Sequence, residues 1–327
     1  MGLRTATAAV TGSLRQRLRG GDYTVLAIPV FFATMGIEYL ALRRAARQGR
    51  VPAPDTTAPN VDEPVGYEPN DTLASLAMGT GSLVVNAFYE QLTAPVDRAI
   101  YRHRIADLGR ARWAFLGAIV AWDFLYYWDH RLQHRSRVFW GNHVVHHSSQ
   151  RYNLSTALRQ PWSGILLHWV FFPMLALGYT PTQVARAGQL NLLYQYWVHT
   201  EAVDRLPAAA ESVMNTASHH RVHHGADQQY LDRNYAGIFI IWDRLFSSFE
   251  PEGDRIHYGL TKNIDTFNPL RIATHEHHDM VRDVRRSGRW RDRVGHVFGP
   301  PGWAPVPPQQ LDEPSPTPPL AREASTP

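Results

Sequence analysis

The chain has 327 residues, of which 44% are hydrophobic, and it carries a formal net charge of +4 with 17 histidines and no cysteine. The absence of cysteine excludes disulfide frameworks, zinc ribbons, cysteine-ligated iron–sulfur clusters and cysteine nucleophiles, so any metal must be held by nitrogen and oxygen. The basic residues are scattered arginines with a single lysine, Lys262. Since no nucleic-acid-binding module accompanies them, we expect no nucleic-acid partner.

The first third of the chain predicts helices that enter a membrane. Residues 1–22 form a polar N-terminal segment, and residues 23–42 then run for twenty positions with Glu38 as the only charge, which is the length of a membrane span. After a polar loop, residues 73–94 are apolar again. We therefore expect membrane helices and loops over residues 23–112.

Three further apolar stretches follow. Residues 113–128 are short for a lone span, whereas residues 161–180 and 184–199 succeed each other as the two arms of a helical hairpin that enters the bilayer and returns. Such a hairpin places both of its ends on one face of the membrane. A soluble all-helical protein with long core helices is the alternative, and the negative mean hydropathy of the chain favours it.

Two further regions lie at the end of the chain. We expect a C-terminal helical extension at residues 253–298. Residues 299–327 are rich in proline and have no periodicity, which predicts a disordered tail. The predicted fold is all-α: a membrane helical bundle with a polar helical cap.

The histidines are not scattered, because nine of them fall in two windows of 18 and 6 residues. The first window begins with His130 and His134 in an HxxxH spacing. It continues with His143, His146 and His147 in an HxxHH spacing. Residues three or four apart share a helix face, so each of these sets can point at one metal site.

The second window repeats the HxxHH spacing with His220, His223 and His224. The hairpin between the windows returns to its own side of the membrane, so the two windows can meet there. His199 lies at the end of the hairpin and is delivered to the same face. His219 adjoins His220 and cannot readily share its helical face, so we expect it to support a ligand rather than to be one.

The number of ligands indicates two metal ions. Imidazole suits iron, zinc, copper and nickel, but a structural or hydrolytic zinc site uses three or four protein ligands. Nine candidates are the number for two ions with open positions. We expect two irons that use O₂ as co-substrate to oxidise an apolar lipid. The candidate ligands are His130, His134, His143, His146, His147, His199, His220, His223 and His224.

Other polar residues near the windows are candidates for orienting these ligands. Asp123 and Asp129 flank the first window, and each could hold a ligand imidazole through its second nitrogen or simply be a polar residue at a helix end. Asp232, Asn234 and Asp243 could do the same or stabilise local turns. The full set of supporting candidates is Asp123, Asp129, Asn153, His219, Asp232, Asn234 and Asp243.

In these motifs the sequence resembles the fatty acid hydroxylase and sterol desaturase superfamily of membrane di-iron enzymes. The three histidine boxes carry the resemblance. The run from His147 to Gln160 and the run from His219 to Gly225 are especially similar to the alkylglycerol-monooxygenase-like branch. The resemblance covers residues 113–252 and implies that they form the catalytic domain.

The resemblance implies a helical membrane protein with its di-iron centre on the cytosolic face, in the bacterial inner membrane or, in a eukaryote, in the endoplasmic reticulum. It implies hydroxylation or desaturation of a fatty acyl, sterol or ether lipid, with two electrons from a separate electron-transfer partner or a small reductant. Two other functions stay open at this point. The same histidines could bind or transport a metal across the membrane, or they could hold a hydrolytic zinc.

Overall fold

The structure, a computed structural model, describes residues 20–48, 66–109 and 111–305. Within these ranges the regular structure is helical, and pairing between extended segments is limited to two isolated β-bridges. The predicted all-α class is therefore confirmed for the described residues. The predicted polar segment at 1–22 and the predicted tail at 299–327 lie almost entirely outside them.

The three longest helices lie in the first half of the chain, and two helices of 18 residues follow in the second half. In chain order, the α-helices of the described residues are α1 Tyr23–Leu26, α2 Ile28–Arg47, α3 Pro69–Arg102, α4 Arg112–Arg135, α5 Arg137–His147, α6 Phe172–Leu177, α7 Pro181–Val198, α8 Ala208–Val213, α9 Ala217–His223, α10 Ile241–Leu245, α11 Pro269–Arg286 and α12 Trp290–Phe298. Two 3₁₀ helices lie between α5 and α6, at Thr156–Leu158 and Gly164–Phe171.

Local chemistry explains where several helices begin and end. Glu68 accepts a hydrogen bond from the backbone N–H of Asp71 and so caps the start of α3. Thr180 and Gln183 form a reciprocal capping box at the start of α7. Gly178 ends α6 with a φ of 114°, a left-handed conformation that favours glycine. The turn predicted between the hairpin arms is the one that these caps create.

The first arm of the predicted hairpin is not the continuous helix that its apolar run suggested. The chain there forms the 3₁₀ helix Gly164–Phe171 followed by the six-residue α6. Pro173 lies at the start of α6, and it has no N–H to donate to the preceding turn, so an α-helix cannot run through it undisturbed. The second arm matches α7.

Helix α4 is the centre of the packing that builds the site, and it contacts both α5 and α7. Ala118, Trp122 and Ala187 belong to a buried apolar cluster between α4 and α7. A Cβ at Gly188 would lie 3.0 Å from the Trp122 indole, so glycine lets the two helices approach closely. Helices α11 and α12 pack on the other side of α5.

The first helices carry large apolar side chains on their surface. Leu26, Val30, Phe32, Ile37 and Leu40 are all more than half exposed on α1 and α2. Similar side chains continue along α3 and α4. Among the helices of the described residues, none combines the length and the apolar composition needed to cross a membrane.

Candidate metal centre

The nine predicted ligands come together where four helices end. His130 and His134 lie in the last turns of α4, and the first HxxHH box occupies the end of α5. His199 follows the last residue of α7, and the second HxxHH box ends α9. All nine side chains are buried, with exposed fractions of 7% or less.

The nine rings form two groups, in each of which the ligand atoms lie within 4.8 Å of one another. The group of five contains His130, His134, His143, His147 and His223, and the group of four contains His146, His199, His220 and His224. The two groups touch, because the rings of His147 and His224 stack with centroids 4.4 Å apart. They therefore form one continuous centre.

Each HxxHH box is divided between the two groups. His143 and His147, four residues apart, join the group of five, whereas His146 points into the group of four. The second box does the reverse, since His220 and His224 join the group of four and His223 crosses to the group of five. The spacing had suggested that all three histidines of a box can share one site. On these helices only the i, i+4 pairs do so, because the third ring is rotated away around the helix.

In the group of five, ring nitrogens face one another at short range. His143 Nε2 lies 2.7 Å from His130 Nε2 and 3.0 Å from His147 Nε2, which in turn is 3.0 Å from His223 Nε2. A neutral ring nitrogen carries either a hydrogen or a lone pair, so these three contacts cannot all be hydrogen bonds. Without a further group, at least one pair of facing nitrogens must present two lone pairs or two hydrogens to each other. A cation bound between the nitrogens would accept these lone pairs.

Backbone carbonyls fix the orientation of three ligands. His130 Nδ1 donates to the Tyr235 carbonyl at 2.7 Å, His199 Nδ1 to the carbonyl of Gln195 at 2.7 Å, and His223 Nδ1 to the carbonyl of Arg233 at 2.9 Å. A carbonyl can only accept, so in each ring the hydrogen is on Nδ1 and Nε2 presents a lone pair. This is the usual way in which proteins set the tautomer of a metal-binding histidine.

The group of four has the same inward arrangement. His199 Nε2 lies 3.0 Å from both His146 Nε2 and His220 Nε2. Among the described residues, His224 Nε2 and, in the other group, His134 Nε2 are buried without a hydrogen-bond partner. Buried polar atoms are seldom left unpaired. These two nitrogens are therefore available to a ligand that the chain itself does not supply.

The donor set fits a metal ion. Nitrogens held about 2.1 Å from an ion and at right angles to one another are roughly 3.0 Å apart, which is the spacing seen here. The rings are also in the correct charge state, because burial holds the pKa of His130, His143 and His223 well below the usual range and lowers that of His146 to about 4. Neutral imidazole is the form that binds metals.

The ends of four helices add a favourable field. The last carbonyls of a helix carry about half a negative charge, and α4, α5, α7 and α9 all direct these ends at the histidine groups. Buried cations are costly unless negative charge or dipoles face them. The fold thus stabilises a cation here without placing a carboxylate in either group of rings.

Two of the predicted supporting carboxylates act through the backbone. Asp243 is fully buried and accepts hydrogen bonds from the N–H groups of Tyr235 and Ala236, both at 2.8 Å. It thereby holds the peptide whose carbonyl receives His130. Asp123 accepts from the N–H groups of Ile238 and Phe239 and ties α4 to the same loop. Its described contacts do not include a ligand ring, contrary to one of the two roles expected from the sequence.

The remaining supporting candidates differ in their surroundings. Asp232 lies 3.4 Å from His134 Nδ1 and is next to the group of five. His219 points away from both groups, with its Nε2 2.9 Å from a carboxylate oxygen of Glu211. Asn153 accepts from the backbone N–H of Ser155 in a local turn and donates to the carbonyl of Gly66. Asn234 donates to the carbonyl of His219 and accepts from the N–H of Glu250, so it ties the second histidine window to a distant loop rather than stabilising a turn.

Asp129, the last of these candidates, begins a chain of buried polar side chains beside the site. It accepts a hydrogen bond from Gln133 at 2.9 Å, Gln133 accepts one from Asn142, and Asn142 accepts one from Ser163. Burial raises the pKa of Asp129 to about 7. This chain links α4 to α5 just behind the ligand-bearing faces.

Some side chains around the rings were not singled out by spacing. Trp140 packs against His134 and His147 with centroids 5.1 and 5.6 Å apart, and Tyr152 packs against His199 and His224 at 5.7 and 5.1 Å. They enclose the groups with aromatic surface. Isolated aromatic residues give no spacing signal, so only the three-dimensional fold identifies them.

A buried ion pair supports the end of α5. Arg159, 1% exposed, donates to Asp71 of α3 at 2.8 Å and to the hydroxyl of Ser148 at 2.9 Å. Ser148 directly follows His147. The pair therefore connects the start of α3 to the point at which the first HxxHH box ends.

Glu38, the single charge of the first apolar stretch, faces the protein interior. It accepts hydrogen bonds from the backbone N–H of Leu154 at 2.9 Å and from the hydroxyls of Tyr67 and Thr200. Thr200 directly follows His199. These contacts are polar contacts within the helix bundle, and they tie α2 to the end of α7.

Comparisons with known proteins agree with this arrangement. The family model "Fatty acid hydroxylase" matches residues 115–248. Alkylglycerol monooxygenase from Homo sapiens is 38% identical over 292 residues, 88% of this chain and 61% of the relative. Alkylglycerol monooxygenase from Danio rerio is 42% identical over 200 residues, 61% of this chain and 45% of the relative. A cholesterol 25-hydroxylase-like protein from Danio rerio is 32% identical over 157 residues, 44% of this chain and 58% of the relative.

The chain thus spans about three fifths, or less, of the length of these curated relatives. No solved structure matches it significantly. The match to the family model includes all nine histidines of the two groups, since they lie between residues 130 and 224.

Proposed function

Because the chain belongs to the fatty acid hydroxylase superfamily, in its alkylglycerol-monooxygenase-like branch, we propose that it is a non-haem di-iron oxygenase that uses O₂ and two electrons to hydroxylate or desaturate a lipid. The observation that carries this proposal is the centre of nine buried, neutral imidazoles in two touching groups. The group of five and the group of four can each hold one metal ion, and they leave coordination positions open for a substrate.

The chain's own part in this chemistry is to hold and shield the metals. The five-membered group would bind one iron and the four-membered group the other, each through nitrogens already directed inward. The irons, when bound, supply the activation of O₂ that lets a C–H bond be oxidised. Trp140 and Tyr152 pack over the rings and keep water away from them.

A lipid substrate is supported by what the relatives' names state. The family is described as fatty acid hydroxylase, and the relatives are named alkylglycerol monooxygenase and cholesterol 25-hydroxylase-like protein. Ether lipids, fatty acyl chains and sterols share a long apolar body, and we propose a substrate of this class. Whether the reaction ends in an alcohol or an alkene depends on whether a second hydrogen is lost.

We further propose that the exposed apolar side chains of α1 to α4 lie in a bilayer, with the histidine centre in a cap on the cytosolic side. Their exposure over the surface of four successive helices would be costly in water and is expected against lipid. We propose that the electrons come from a separate reductase or a small carrier; the chain has no cysteine with which to hold an iron–sulfur cluster or a dithiol of its own.

The proposal is tested by iron analysis together with lipid chemistry. Purified protein should contain two irons per chain, and cells that express it under ¹⁸O₂ should accumulate a lipid with one labelled oxygen or one with two fewer hydrogens. His146→Ala should abolish the product, because it leaves three ligands in the group of four. His278→Ala, on a side chain that is 78% exposed, is the matched control and should leave both readouts unchanged.

Three results would count against the oxygenase. The first is protein that lacks iron while lipid oxidation persists in the His146 variant. The second is restoration of activity by zinc alone after chelation, which would indicate a hydrolase. The third is metal flux into vesicles without O₂ consumption, which would indicate the transport function.

A further inference from the structure

The C-terminal helix α12 presents an apolar stripe to the outside of the molecule. Trp290, Val294 and Phe298 are spaced four residues apart and lie along one side of the helix. Their exposed fractions are 76%, 46% and 61%. The opposite side is partly covered, because the Trp303 ring packs against His296 with centroids 5.0 Å apart. We call the three exposed residues the α12 stripe.

Positive charge surrounds this stripe. Between residues 285 and 293 the chain has five arginines and one aspartate. Arg289 pairs with that aspartate, Asp292, at 2.8 Å, so the segment carries four arginines in excess of its acidic residues. By helical spacing Arg291 and Arg293 lie on opposite flanks of the α12 stripe, and both are exposed.

The stripe is held rigidly against the part of the fold that carries the first HxxHH box. The backbone N–H of Arg137, the first residue of α5, donates to the carbonyl of Gly299 just beyond α12, at 2.9 Å. The Arg137 side chain also pairs with Glu276 and Asp283 of α11, at 2.6 and 2.9 Å. Helix α12 is thus fixed to the body of the protein rather than free to turn its apolar side inward.

We propose that the α12 stripe docks on the surface of an anionic lipid bilayer. Its Trp290 and Phe298 rings enter the boundary between headgroups and acyl chains, and Arg291 and Arg293 lie against lipid phosphates. A short helix with aromatic residues on one side and arginines at its flanks has the composition of an interfacial membrane anchor. Tryptophan in particular favours this boundary, because its ring is apolar and its N–H is polar. The proposal concerns a surface outside the histidine centre and does not rest on the proposed oxygenase function.

The absence of cysteine from the chain gives a direct test. Val294→Cys introduces a single thiol into the full-length protein, which is labelled with an environment-sensitive fluorophore and reconstituted with phosphatidylcholine, with or without phosphatidylglycerol. Quenching is measured with a nitroxide-labelled lipid and with aqueous iodide. Lys262→Cys, on an exposed polar loop, is the matched control.

In the anionic bilayer the Val294 probe should be quenched by the lipid nitroxide and protected from iodide, while the Lys262 probe shows the reverse. Adding Arg291→Gln and Arg293→Gln should weaken the lipid contact by about fivefold per arginine. Helix content from circular dichroism checks that each variant is folded, and Trp290→Ala provides a second variant that should lose lipid quenching without a change in charge.

Two outcomes would overturn the proposal. If iodide quenches both probes equally, the stripe faces water, even where the other helices hold the protein in the bilayer. If the Val294 probe is shielded from both quenchers, protein covers the stripe, either the chain beyond residue 305 or a second copy.

Discussion

Replacing Asp243 with alanine should both destabilise the fold and weaken metal binding. Asp243 accepts hydrogen bonds from the backbone N–H groups of Tyr235 and Ala236 and from the hydroxyl of Ser248, at 2.7 to 2.8 Å. A buried donor left unpaired costs about 1 to 3 kcal/mol, so the two amides alone should lower the free energy of unfolding by about 2 to 6 kcal/mol. The hydroxyl can rotate to another acceptor.

The weaker metal binding follows from the hydrogen bond between the Tyr235 peptide and His130. The Tyr235 carbonyl receives His130 Nδ1, so a displaced peptide releases that ring from its fixed orientation. Loss of such a supporting contact typically lowers metal affinity about 10-fold to 100-fold. The expected result is a weaker iron affinity for Asp243→Ala in competition with a chromophoric chelator, together with a lower midpoint in urea.

Two further variants separate these effects. Asp243→Asn keeps one acceptor oxygen and should fall between the wild type and alanine in both measurements. Asp254→Ala, at an exposed position in a following loop, should match the wild type. If Asp243→Ala loses stability but binds iron within twofold of the wild type, the loop at 235–236 does not orient His130 and the reasoning is wrong.

Three other predictions concern buried polar and tightly packed positions. Burial raises the pKa of Asp129 to about 7, so the folded chain retains a proton that the unfolded chain releases near pH 4. The stability that this bound proton contributes is therefore lost as pH rises, by about 1.4 kcal/mol per pH unit between about pH 4 and 7. Asp129→Asn should remove that dependence from unfolding curves of the metal-free protein. Asp71→Asn should lower the free energy of unfolding by about 3 to 5 kcal/mol, because Arg159 is left buried without a counter-charge, and adding Arg159→Met should restore much of it in urea titrations. Gly237→Ala should cost about 1 to 3 kcal/mol, since its Cβ would lie within 2.7 Å of two buried polar side chains, whereas Gly36→Ala, in open space on α2, should be neutral or slightly stabilising in the same titrations.

The ligands of the candidate centre were predictable from sequence because helices repeat. Histidines four residues apart fall on a shared face and join the same group in both kinds of box. The division of each box between two groups was not predictable in the same way. It depends on how α5 and α9 are rotated about their axes, which packing against other helices decides.

The supporting residues were less predictable for a related reason. Asp123 and Asp243 look alike as buried acids near the boxes, but their partners are backbone amides of one loop more than a hundred residues from Asp123. Similarly, the apolar run before α6 predicted a continuous helical arm but not the 3₁₀ helix that forms there. Composition predicts which side chains avoid water, whereas the partner of a carboxylate depends on long-range topology.

The interlocking of the two HxxHH boxes has a consequence for biosynthesis. His147 and His223 share a group although they are 76 residues apart in the chain. The group of five is incomplete until His223 has left the ribosome, and the group of four until His224 has done so. At about 5 to 20 residues per second the stretch from His147 to His223 takes roughly 4 to 15 s to synthesise. During this interval the first HxxHH box is outside the ribosome without the ligands that the second box supplies. Stalled nascent chains of increasing length should therefore retain iron through a desalting step only once they extend past residue 224.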